Sequence, residues 1–105
     1  MTFAFATDDR SLFAFVSDVE ACRHAEGIDV EDGLWLFFDD GGRSLVPVFT
    51  TPNEKGRFTV TSGVYSLHPN RANDAATLMD LLAEVSIVEG ECDSVADVRQ
   101  HLTNR

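Results

Sequence analysis

The chain has 105 residues, 44% of them apolar and 25% charged, and a formal net charge of −10 at pH 7. Those proportions describe one globular domain, 1–105, with a core of its own, and exclude a disordered or fibrous chain. Eighteen acidic residues against eight basic ones disfavour direct nucleic-acid binding and adhesion to anionic membranes, because the field repels phosphate groups.

Location follows from what the termini and thiols carry. Met1 to Ala6 is too short for the apolar core of a secretory signal and runs at once into Asp8 and Asp9. No apolar run approaches the length of a membrane span. Two cysteines, Cys22 and Cys92, do not make a disulfide framework, so the reading is a cytoplasmic protein with free thiols.

In chain order, Thr7, Asp8 or Asp9 can cap a first helix, with Leu12, Phe15, Val16, Val19 and Cys22 at the spacing of one buried stripe. Gly27 is placed to stop it. An acidic linker, residues 28–33, leads to the most distinctive stretch, residues 34–49. There, two apolar runs flank Asp39-Asp40-Gly41-Gly42-Arg43, the pattern of a β-hairpin. With Gly41 and Gly42 at the centre of a type I′ turn, Phe38 pairs with Leu45, Leu36 with Pro47 and Leu34 with Phe49. The opposite face then holds Phe37 beside Val46 and Trp35 beside Val48. Residues 57–66 read as a third strand, with Phe58, Val60 and Val64 on one side and Thr59, Thr61 and Tyr65 on the other.

Beyond His68-Pro69, Asn70 or Asn73 can cap a second helix whose buried face is Ala75, Leu78, Met79, Leu82 and Val85. Ile87-Val88 is a short strand or a packed connector. Ser94, with Asp97 three residues on, opens a last helix with the stripe Val95, Val98 and Leu102. The expected fold is α+β, a three-stranded antiparallel β-meander with helices packed on one face, in the order α-β-β-β-α-α. No motif places the chain in a family. The element order alone resembles that of small acidic secretion chaperones, which carry further strands.

The sequence holds no recognisable reaction centre. Cys22, His24, Cys92 and His101 supply a Cys₂His₂ inventory, but their spacing fits no zinc site, and no metal or cofactor is expected. Neither Asp39–Gly42 nor Glu26–Asp32 has the alternating ligands of a calcium loop. Phosphate-binding, dinucleotide and nucleophile-elbow patterns are absent.

The remaining lead is the second face of the hairpin: Trp35, Phe37, Val46 and Val48, continued by Tyr65. Either one of the helices crosses to cover it, or it is exposed as an interaction surface. The functional expectation is therefore a non-catalytic protein that acts through protein–protein contact as a regulator, adaptor or inhibitor. Its partner is another protein, a basic one included, or a second copy in a homodimer. A variant of this reading is an anionic mimic of nucleic acid. The alternative is a small-molecule-binding or enzymatic domain with a pocket between sheet and helices.

Ten excess negative charges on a small domain repel one another, and salt screens that repulsion beyond about 8–10 Å near physiological ionic strength. Moderate sodium chloride should raise the melting temperature in a thermal-unfolding series; a flat or falling response would contradict this electrostatic account.

Overall fold

Strand β1, Thr2–Ala6, is buried at every position, with Phe3 and Phe5 on one side and Ala4 and Ala6 on the other. The computed structural model describes residues 1–72 and 74–104, and within them β1 is the centre of the molecule. It pairs antiparallel with β2, Ser11–Phe15, through a turn at Thr7–Arg10, and antiparallel with β3, Trp35–Phe38, on its other flank. Strand β4, Ser44–Thr51, extends the sheet from β3, and β7, Val64–Pro69, extends it from β4. Strand β8, Ile87–Gly90, lies parallel to β2. The result is a six-stranded mixed sheet in the order β7-β4-β3-β1-β2-β8.

Helices cover both faces. On the Phe3/Phe5 side, α3, Leu78–Leu81 (continued by a 3₁₀ turn, Leu82–Glu84), and α4, Val95–Thr103, contribute Leu78, Leu82 and Val98 to a core with Leu12, Phe38 and Val88. On the Ala4 side, α1, Asp18–His24, and α2, Gly27–Glu31, bring Ala21, Ala25 and Val30 against Phe37 and Tyr65. The molecule is α+β, but the three-stranded meander with helices on one face is replaced by a six-stranded sheet with helices on both. The likeness of element order to secretion chaperones goes with it.

Four corrections explain the difference. First, Thr2–Ala6 and Ser11–Phe15 alternate with period two and form a hairpin rather than the start of a helix. Its turn is closed by Arg10 N–H donating to Ala6 O at 2.9 Å, with Arg10 itself at φ 62°. The helix begins only behind Ser17, whose hydroxyl accepts from Glu20 N–H, so Val16 and Val19 are exposed. Gly27 does not stop α1; it opens α2.

Second, the β3–β4 register is one residue away from the expected one: Phe37 faces Leu45 and Phe38 faces Ser44. The Asp39 carboxylate accepts from both Gly41 N–H and Arg43 N–H at 2.9 Å. With Gly42 at φ 82° and its N–H bonded to Asp39 O, this makes a three-residue loop rather than a type I′ turn. A one-residue shift exchanges the two faces of β4 relative to β3.

Third, residues 57–66 are not one strand. Glu54–Lys55 (β5) and Val60–Thr61 (β6) form a separate two-stranded arm, and β7 starts at Val64. Phe58, Val60 and Val64, expected on the helix side, are exposed. The molecule extends 47 × 27 × 22 Å with a radius of gyration of 13.9 Å; about 13 Å is usual at this length.

Fourth, the second helix starts at Leu78, behind a Thr77/Asp80 capping box. Asn70 instead accepts from Ala72 N–H within the preceding loop, and Met79 is exposed. Asn73 lies outside the described residues. The last helix and its stripe are as expected, with Ser94 Oγ accepting from Asp97 N–H at 3.2 Å. Among the described residues, no helix is long and apolar enough to cross a membrane.

The turn offers a direct check on the register. A Cβ at Gly42 would carry the positive φ and sit 3.1 Å from Leu102, whereas Gly41 has no positive φ and is exposed. Gly42→Ala should therefore cost about 1–3 kcal/mol in denaturant unfolding, and Gly41→Ala well under 1 kcal/mol. Equal losses at both positions would indicate the type I′ turn.

Candidate interaction surface

Placement of the five expected interface residues follows from the register. Trp35, Phe37 and Tyr65 lie on the face covered by α1 and α2, so a helix does cross to cover them. Phe37 and Tyr65 are buried, with ring centroids 6.0 Å apart, and Trp35 is partly buried against Phe13 and His24. Val46 and Val48 share the opposite face with Leu36. The α3–α4 layer stops short of that area, leaving Val48 and Leu36 exposed at 45% and 43%. The structure thus divides the set of five between two faces.

A different feature brings residues together: a groove of about 490 Å³ between α1 and β7. Its construction starts from alanine. Ala21 on α1, Ala25 at its C-cap and Ala4 on β1 are fully buried, so the helix sits close to the sheet. Tyr65 on β7 donates its hydroxyl to Ala25 O at 2.5 Å, anchoring the end of the helix, and its ring packs 5.4 Å from Phe49. Cys22, Tyr65 and Leu67 form the floor and Val19 and Val64 the exposed lips, with Asp18, Arg23 and Glu26 along the helix side, Arg23 being paired with Glu20 at 3.1 Å.

The polar atoms at the floor are uncharged at neutral pH. Burial raises the Tyr65 phenol far above its ordinary range, and the neighbouring Cys22 adds to the shift. Burial likewise raises the Cys22 thiol, with the Asp18 carboxylate adding to it and the Tyr65 hydrogen bond opposing it. An apolar, neutral floor with carboxylates at its rim suits an apolar ligand that carries a cationic group at its end.

Beside the groove, β7 pairs with β4 on one flank and is the last strand of the sheet on the other. The stretch Val64-Tyr65-Ser66-Leu67, exposed at Val64 and Ser66, carries no charge. The opposite edge strand, β8, reads Ile87-Val88-Glu89-Gly90 with Glu91 next to it, and Gly90 at φ 95° ends the pairing. A Cβ there would lie 2.2 Å from Ala14 O. Charges, proline and bulges are the usual means of blunting an edge, and on β7 the only such residue is Pro69 at its end, leaving residues 64–67 without one.

Elsewhere, Cys92 and His101 do line one cleft, with Met1 and Asp97. The His101 ring meets Asp40 Oδ1 at 2.7 Å and packs edge-on to Phe3. The Cys92 thiol is pushed up by burial and by Asp97, Asp93 and Glu91, the opposite of what activates a nucleophilic thiol. Cys22 and His24 sit on the other side of the sheet, so the four Cys and His residues do not converge. Among the described residues, no group of three or more His, Cys, Asp or Glu side chains is placed to hold a metal ion.

Sequence reasoning placed Val19 and Cys22 together on a buried stripe and left Leu67 unassigned. The signal that finds the groove is Ser17-Asp18-Val19-Glu20, a capping pattern that starts the helix later and turns Val19 outward. No family model, curated protein or solved structure matches the chain.

Trp35 lies among Phe13, His24 and Phe37 instead of at the groove. Trp35→Ala should lower the unfolding free energy by about 2–4 kcal/mol, somewhat less than truncation of a fully buried aromatic. Urea unfolding checks this, and a loss under 1 kcal/mol would return Trp35 to the surface.

Proposed function

We propose that this is a non-catalytic protein of the cytoplasm that acts by protein–protein contact, as a regulator, adaptor or inhibitor, through the open β7 edge. The observation that carries the reading is an uncharged edge strand bordering an apolar groove, in a chain of net charge −10. An extended segment of another protein would add to β7 as a further strand, its backbone bonding to the free flank. Alternate side chains would enter the groove over Tyr65 and Leu67. The others would lie over the opposite face beside Ser66, His68 and Val48, next to the uncovered Val46 and Leu36. Asp18 and Glu26 favour a segment with a basic residue at its end, and the protein's overall charge speeds encounter with a basic partner.

This reading keeps Tyr65, Val46 and Val48 at the interface and gives Trp35 and Phe37 the role of holding α1 in place. A second reading rests on the groove's size, about 490 Å³, which is within the range of small-molecule sites. A compact apolar ligand would use the same floor without touching the β7 backbone.

Fluorescence anisotropy distinguishes these readings. Labelled peptides of alternating Val and Thr, ended with Arg, should bind, and Glu-ended versions should bind at least about fivefold more weakly. Leu67→Asp should abolish binding. N-methylation of alternate peptide amides should weaken it strongly for strand addition and leave a pocket-only ligand unaffected. Absence of saturable binding by either peptide up to about 1 mM would remove the proposal.

A further inference from the structure

The most exposed large apolar side chain of the protein stands where neither packing nor turn chemistry accounts for it. Phe58 is 90% exposed. The arm is closed by Gly56 N–H donating to Thr59 O at 2.7 Å, so Arg57 and Phe58 are the two central residues of its turn. Such positions favour Gly, Asn and Asp, and neither Arg57 nor Phe58 has a positive φ. The Arg57 guanidinium lies 5.6 Å from the Phe58 ring centroid, so the tip presents an aromatic ring with a cation attached to it. Lys55, the chain's only lysine, is engaged by Asp32 at 3.7 Å, which leaves Arg57 as the basic group at the tip.

The base of the arm is held firmly. Asn53 accepts from Gly63 N–H at 2.6 Å and donates to Gly27 O at 2.9 Å, tying both arm strands to α2. A Cβ at Gly63 would fall 2.0 Å from Thr51 O, so the chain can pass there only as glycine. Ser62 and Gly63 line the groove from this base. Phe58, five residues further on, is exposed and is not among the residues that line the groove of its own molecule.

We infer that the occupant of the groove, in the protein alone, is the Arg57-Phe58 tip of a second copy, given reciprocally in a two-fold dimer. The inference rests on the groove reading above and names a partner for it. The fit is chemical on both sides. Phe58 meets the apolar floor of Cys22, Tyr65 and Leu67, and Arg57 meets the Asp18 and Glu26 rim. Within one molecule the two halves stand apart, whereas two molecules related by a two-fold axis join both pairs at once and close the assembly.

Sedimentation velocity of the full chain over a hundredfold concentration range at physiological salt should show a monomer–dimer equilibrium. Phe58→Ala and Arg57→Glu should each weaken it by at least about tenfold while leaving circular dichroism unchanged. Combining Arg57→Glu with Glu26→Lys should recover most of the loss, since the reversed pair can form again across the interface. A chain that stays monomeric throughout, a dimer indifferent to Phe58→Ala, or a double reversal no tighter than Arg57→Glu would each overturn the inference. The two readings fail separately. Peptide binding by a strictly monomeric chain removes the arm exchange alone, and lack of peptide binding by Phe58→Ala, whose groove is empty, removes the groove reading.

Discussion

The closeness of α1 to the central strand sets the rest of the structure. Strand β1 alternates Phe and Ala, so the sheet is thick on one side and thin on the other. Each fully buried Phe contributes about 1.5–3 kcal/mol, and Phe3 and Phe5 make their side the main core under α3 and α4. On the thin side the stabilisation comes from proximity: Ala4, Ala21 and Ala25 leave room for α1 to lie close, and the larger side chains stand around its margin. A bulkier residue at Ala4 would force α1 outward and stretch the bond from the Tyr65 hydroxyl to Ala25 O.

That bond links the core to the surface. Tyr65 belongs to the outermost strand, yet it is buried, its ring packed on its cross-strand partner Phe49 and on Phe37 and its hydroxyl reaching the C-cap of α1. The β7 strand lies beside α1 there, and the gap between them is the groove. The β4–β7 register shifts between Phe49 and Thr51, next to the Phe49–Tyr65 pair that sits at the groove.

Element type was legible in the sequence wherever one period dominated. The α4 stripe, its Ser94 cap and the existence of the β3–β4 hairpin were legible, though not the hairpin's turn type or register, and the α+β character followed. What failed depended on choices that local pattern leaves open. Residues 11–22 contain Leu12, Phe15, Val16, Val19 and Cys22 at helical spacing, and the same stretch contains Leu12, Phe13, Ala14 and Phe15 as a two-sided strand. The second pattern won because β1 was there to pair with it, a contact that spans a short turn. The hairpin register turned on the Asp39 carboxylate bonding two backbone N–H groups, which favours three loop residues over two. That single residue moved Val46 and Val48 away from Trp35 and Phe37. The groove was legible only in part: the Ser17 cap that turns Val19 outward is a local signal, whereas the approach of β7 to the alanine side of α1 has none.

Leaving an apolar edge open is costly for most proteins, because any exposed strand can pair with it. Here the net charge of −10 changes that balance. Two whole molecules repel at long range, so indiscriminate edge-to-edge growth is suppressed without placing a charge on β7 itself. At contact distance the repulsion is screened beyond about 8–10 Å, and the local sign of the approaching surface decides instead. In the proposed mode of binding, the Asp18 and Glu26 carboxylates would disfavour acidic segments and favour basic ones, Arg23 beside them being held by Glu20. The acidic surface and the uncharged edge are therefore one device. The first keeps the molecule dispersed, and the second remains available to a segment whose own charge offsets the repulsion.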